Sequence, residues 1–109
     1  MTYTCGMEFI ETAIFTKMVK LLPDKSYQKL QSILMLNPGA GAIIKGSGGL
    51  RKIRWNLPGA VKRGALRIIY YFDQPERIYM LFMYKKNKQE DLTPEQVKIL
   101  KKAVKENLL

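Results

Sequence analysis

Three runs of this chain, residues 50–55, 65–72 and 77–84, are dense in β-branched and aromatic residues and are separated by turn signals. Leu57-Pro58-Gly59 stands in the first gap and Asp73-Gln74-Pro75-Glu76 fills the second. Connections this short join strands as an antiparallel meander. In the first run, period-two alternation sends Arg51, Ile53 and Trp55 one way and Lys52 and Arg54 the other.

The flanking segments read as helices. Over residues 12–22, Ile14, Phe15, Met18, Leu21 and Leu22 fall on or near one helical face. Pro23-Asp24 breaks that helix, and Asp24 is a suitable N-cap for a second one grouping Tyr27, Leu30, Ile33 and Leu34. The two form a helical hairpin ending by Asn37-Pro38. Residues 38–49 hold five glycines but lack the Gly-Lys-Ser/Thr ending of a phosphate-cradling loop, so they read as a connector. Thr93-Pro94-Glu95-Gln96 is a helix start, with Thr at the cap, Pro at the first position and Gln at the third. Val97, Leu100, Val104 and Leu108 make the buried stripe of this last helix, and Lys98, Lys101, Lys102 and Lys105 its wetter sides. Residues 7–11 read as a short leading strand.

The expected fold is α+β: an N-terminal helical hairpin packed on a small antiparallel sheet with a C-terminal helix, the helices on one sheet face. With 109 residues, 47% of them hydrophobic, the chain suits one domain over 1–109. Residues 1–6 read as a frayed extension, Met7 being an alternative start. Cys5, the single cysteine, leaves no internal disulfide. Neither a transmembrane run nor a secretory signal is visible, so the expected location is cytoplasmic.

Charge narrows the function. The formal net charge is +10, from 19 basic and 9 acidic residues. From Lys25 to Phe72 there are nine Lys and Arg and no acidic residue at all. Simple solubility is one reading of such an excess. Cations on ordered strands instead suit a polyphosphate backbone, an anionic membrane surface or an acidic protein. With no histidine and one cysteine, a zinc site or a histidine acid/base pair is excluded, and chemistry falls to Lys, Arg, Tyr or carboxylates. No cofactor is implied.

Three stretches then resemble the RelE/ParE toxin superfamily, most closely its HigB-like branch. They are Gly49-Leu50-Arg51-Lys52-Ile53-Arg54-Trp55, Arg67-Ile68-Ile69-Tyr70-Tyr71-Phe72, and Tyr84-Lys85-Lys86-Asn87-Lys88-Gln89-Glu90-Asp91-Leu92-Thr93. The resemblance covers nearly the whole chain in order and length. It implies the RelE-like microbial RNase fold and a type II toxin. Expected partners are a cognate antitoxin, acidic and with a helix-turn-helix DNA-binding domain, together with the ribosome and messenger RNA, and no membrane. Members of the RelE type cut messenger RNA in the ribosomal A site without a metal, by attack of a ribose 2′-OH on the adjacent phosphate.

Carried over by position, the resemblance makes Lys52, Arg54, Arg67 and Lys86 catalytic. Arg51, Lys62, Arg63, Lys85 and Lys88 are the expected RNA-binding residues. Cations aimed at a phosphate stabilise the charge of its transition state, guanidinium by a fork of two hydrogen bonds, and a crowded lysine can accept a proton. The family's late tyrosine has no counterpart, since Leu92 occupies the aligned region. Tyr84 is either its substitute or a structural ring, and Trp55 is either a base-stacking surface or core. Arg51 is either an RNA contact or a solvent-facing cation, and Arg54 and Arg67 either phosphate ligands or structural ion pairs. Two other function classes remain: inhibition of DNA gyrase by protein contact, as on the ParE side, and RNA binding without cleavage.

Overall fold

The computed structural model describes residues 7–56, 65–86 and 88–108, without the side chains of residues 21, 107 and 108. The expected extension over 1–6 and the cations Lys62 and Arg63 lie outside the described residues. The chain runs β1 (Glu8–Glu11), α1 (Ala13–Met18), a single 3-10 turn (Val19–Leu21), α2 (Asp24–Leu36), β2 (Ala42–Ile43), β3 (Leu50–Asn56), β4 (Ala65–Asp73), β5 (Arg77–Lys85) and α3 (Pro94–Leu108). No helix among the described residues is long and apolar enough to cross a membrane.

β3, β4 and β5 form the expected antiparallel meander. The sheet around it is larger and mixed, with five strands in the order β1-β5-β4-β3-β2. β1 lies parallel to β5, Glu8 opposite Arg77 and Glu11 opposite Met80, so the chain enters by a strand ahead of its helices. The Gly-rich connector contributes the two-residue β2, antiparallel to Arg51 and Lys52.

The helices do not share one face. Phe15, Leu22, Leu30 and Leu34 pack with Trp55, Leu66, Ile68, Tyr70, Ile78, Met80 and Met83 in one core. Leu100 and Val104 of α3 pack with Leu50, Ile69, Tyr79, Leu81 and Tyr84 in another. The physical cause is the near-continuous apolar runs of β4 and β5: Ile68 and Tyr70 face one way, Ile69 and Tyr71 the other, and both faces must be covered. A bulge between the pairs Ile69–Phe82 and Tyr70–Met80 lets Leu81 and Phe82 both turn toward α3.

Local signals explain the element ends. Thr12, not a helical residue itself, caps α1: its Oγ1 accepts the Phe15 N–H at 3.0 Å and donates to the Leu81 carbonyl at 2.8 Å. Ile14 is 55% exposed rather than buried with Phe15, because consecutive helical residues point about 100° apart and Phe15 takes the core-facing position. Asp24 opens α2 as its first residue and makes no side-chain cap. Gln96 and Thr93 form a reciprocal capping box, Thr93 N–H to Gln96 Oε1 at 3.0 Å and Gln96 N–H to Thr93 Oγ1 at 3.1 Å.

Candidate functional site

Strand register gathers the basic residues on the α3 side of the sheet. Arg54 of β3 lies opposite Arg67 of β4, and Arg67 lies opposite Tyr84 of β5, making one row across three strands. Lys52, two residues before Arg54, stands on the same face opposite Ile69. Lys86 follows β5 two residues beyond Tyr84, its N–H bonded to the Ala65 carbonyl at 3.2 Å and its side chain exposed.

Two atoms in this row are unusual. Arg67 Nη1 and the Tyr84 hydroxyl are both buried, and neither has a hydrogen-bond partner among the described residues. An unsatisfied buried polar group costs about 1–3 kcal/mol, more if charged, and two on adjacent strands mark a place where the fold gives up stability. The Tyr84 ring lies against Phe82 at 6.2 Å between centroids. Burial pushes the Tyr84 phenol above its ordinary value, the Asp91 charge adds to this, and the Arg67 charge opposes it. Tyr84 is therefore a neutral hydrogen-bond donor at physiological pH.

Asp91, on the loop between β5 and α3, reaches back across the row. Lys52 Nζ donates to Asp91 Oδ1 at 2.6 Å, although the two are 39 residues apart. The hydrogen bond and charge of Lys52 hold the Asp91 carboxyl below the usual carboxylate range, with Arg67 acting in the same direction. The side chain of Gln89 ties the loop down, donating to the Asp91 carbonyl and to Gln96 Oε1, each at 2.9 Å. The loop carrying Asp91 is thus braced by the capping box of α3.

The remaining expected residues lie elsewhere. Arg51 shares the opposite face with Tyr70, and its Nη1 donates to the Gly41 carbonyl at 2.7 Å and the Gly39 carbonyl at 3.3 Å. Tyr70 pins the same connector, donating to the Pro38 carbonyl and accepting the Gly41 N–H, each at 2.8 Å. Lys85 lies opposite Leu66, on the face away from Arg67, and Lys88 is exposed on the following loop. Trp55 is core, 9% exposed, with its Nε1 donating to Ser26 Oγ at 2.8 Å. Leu92 packs against the α3 core.

Sequence reasoning left Asp91 unremarked and Tyr84 undecided. The register that sets Tyr84 opposite Arg67 was its available signal; no local pattern links Asp91 to Lys52.

No family model matches the sequence. Among solved structures, the chain is similar to a variant of the E. coli toxin RelE with two arginines replaced by alanine, in the free state. The TM-score is 0.55 at 14% identity, over 79% of this chain and 90% of that one. That likeness, together with the sheet order and the two helical layers, gives this chain a RelE-like α+β fold.

Proposed function

We propose that this protein is the toxin of a type II toxin–antitoxin pair, of the HigB-like branch, and a ribosome-dependent endoribonuclease that cuts messenger RNA in the A site. The observation carrying the proposal is the Arg67–Tyr84 pair, with two buried polar atoms that have no partner among the described residues, set on one sheet face with Lys52 and Arg54. Such groups favour an incoming anion, since they already lack the hydrogen bonds a phosphate supplies.

In this reading the ribose 2′ oxygen forms a bond to phosphorus while the bond from phosphorus to the 5′ oxygen breaks. The 2′ proton is lost, the 5′ oxygen gains one, and a 2′,3′-cyclic phosphate remains. Arg67 holds the non-bridging oxygens with its guanidinium fork, and Lys52 and Arg54 add positive charge on the same face. Tyr84, kept neutral, donates to a phosphate or ribose oxygen rather than removing a proton. Lys86 stands at the strand end as a further cation. The substrate phosphate displaces the Asp91 carboxylate, which shields Lys52 in the free protein. Arg51 braces the connector, and Lys85 and Lys88 lie toward the rim as long-range attraction for RNA.

Primer extension on messenger RNA in a reconstituted translating system tests the reading. A-site cuts are expected with wild type and ribosomes, and none with Arg67→Ala or without ribosomes. Full cleavage by a folded Arg67→Ala protein refutes it. Growth arrest without any cleavage moves the assignment to gyrase inhibition, read by a supercoiling assay.

A further inference from the structure

Outside the candidate site, a second cationic surface runs along the sheet edge. β2 covers only Arg51 and Lys52, so among the described residues β3 has no outer neighbour from Ile53 to Asn56. Beside that open edge lies a groove of about 570 Å³ between α2 and β3. Lys25, Lys29 and Ile33, at successive four-residue steps on α2, form one wall, and Arg54 and Asn56 line the other. None of the lining residues is acidic, and Lys25, Lys29, Arg54 and Asn56 are all exposed. The hydrogen bond from Trp55 to the buried Ser26 locks α2 to β3 at the groove floor, so the walls are held in place.

We propose that this groove carries the phosphodiester backbone of a single RNA strand continuing out of the candidate site. Lys25 and Lys29 are its phosphate contacts, and Arg54, which stands on the candidate-site face and borders the groove at the sheet edge, joins the two. Charge complementarity and continuity through Arg54 select RNA as the occupant. The part of the β3 edge that no described strand covers adds backbone N–H donors that suit phosphate and sugar oxygens. Neither lysine has any part in the chemistry: their role is affinity and the path of the strand. The inference rests on the protein acting on RNA, but binding alone can test it.

The experiment is fluorescence anisotropy with a short labelled single-stranded RNA across a salt series. It compares wild type with Lys25→Gln/Lys29→Gln and with a charge-matched control on α3, Lys98→Gln/Lys102→Gln. Circular dichroism establishes that each variant is folded. Two lost phosphate contacts should lower the salt slope by about 1.4, at about 0.7 per contact on a single strand. Affinity at moderate salt should drop by roughly tenfold for the groove variant, against less than about twofold for the control. A slope equal to wild type, or a loss no greater than the control's, overturns the proposal. So does loss of binding to poly-L-glutamate with RNA binding kept, which would make this an acidic-protein surface. A groove variant that loses RNA while wild type fails to cut messenger RNA separates the two readings, leaving the groove and removing the nuclease.

Discussion

Arg67 and Tyr84 face each other across β4 and β5, and each buries a polar atom that no described residue bonds. Hydroxyl and guanidinium are thus held ready where an ordinary core would hold methyl groups. Removing the hydroxyl should relieve a cost while damaging function. We expect Tyr84→Phe to be as stable as wild type or more stable by about 1 kcal/mol in urea unfolding. Cleavage should fall at least about tenfold, the scale of one lost transition-state contact. Reduced stability with undiminished cleavage would make the ring structural only.

Asp91 pairs with Lys52, the lysine that the proposed reaction assigns to phosphate. Asp91→Asn frees the ammonium and removes a negative charge near Arg67. Affinity for single-stranded RNA should then rise severalfold at low salt, with the difference shrinking as salt increases. Weaker binding by this variant would show that the carboxylate orders the site instead of shielding it. Exposed ion pairs contribute little to folding, so the melting temperature should scarcely move.

The same pair fixes a pH dependence. Lys52 depresses the folded-state value for Asp91, so the pair's contribution is present above the ordinary aspartate value of about 3.9 and is lost as pH falls through the lowered one. From pH 5 to 8 it should stay constant. Carboxyl-carbon NMR should place the Asp91 midpoint below about 3.9 in wild type and move it upward in Lys52→Met. An identical midpoint in both proteins would mean that the two do not interact in solution.

Behind the site, the connector depends on contact too close for a side chain. A Cβ on Gly41 would stand 2.9 Å from the Lys52 carbonyl oxygen and 2.9 Å from the Tyr70 ring. Gly41→Ala should cost about 1–3 kcal/mol through overpacking. Tyr70→Phe, which strands the Gly41 N–H and the Pro38 carbonyl, should cost about 1–3 kcal/mol. Their effects should be less than additive in urea unfolding, because Gly41→Ala already disturbs the Tyr70 contact.

The parts of this fold readable in advance are those set by local periodicity. β3, β4 and β5 begin at the expected residues and run one residue further, because alternation and turn residues act within a few positions. The Thr93–Gln96 capping box is likewise a four-residue signal. β2 escaped because two residues beside glycines show no alternation. The two-sided placement of the helices was recoverable from the unbroken apolar stretches of β4 and β5, which leave no polar face. In the site, Lys52, Arg54 and Arg67 come together because register follows from the meander. Asp91 meets Lys52 only through the path of a loop, which periodicity does not encode.

The parallel pairing of β1 with β5 also bears on the order in which the protein is made. Residues 8–11 precede β5 by almost seventy positions, yet among the described residues their one strand partner is residues 77–80. Until β5 has been translated, β1 has no ladder to join, and Arg67 has no Tyr84 opposite it. Closing this longest of the sheet's connections is therefore a late folding event. The cationic face therefore exists only once β5 has joined β4 on one side and β1 on the other, which ties the site to the last-made strand of the sheet.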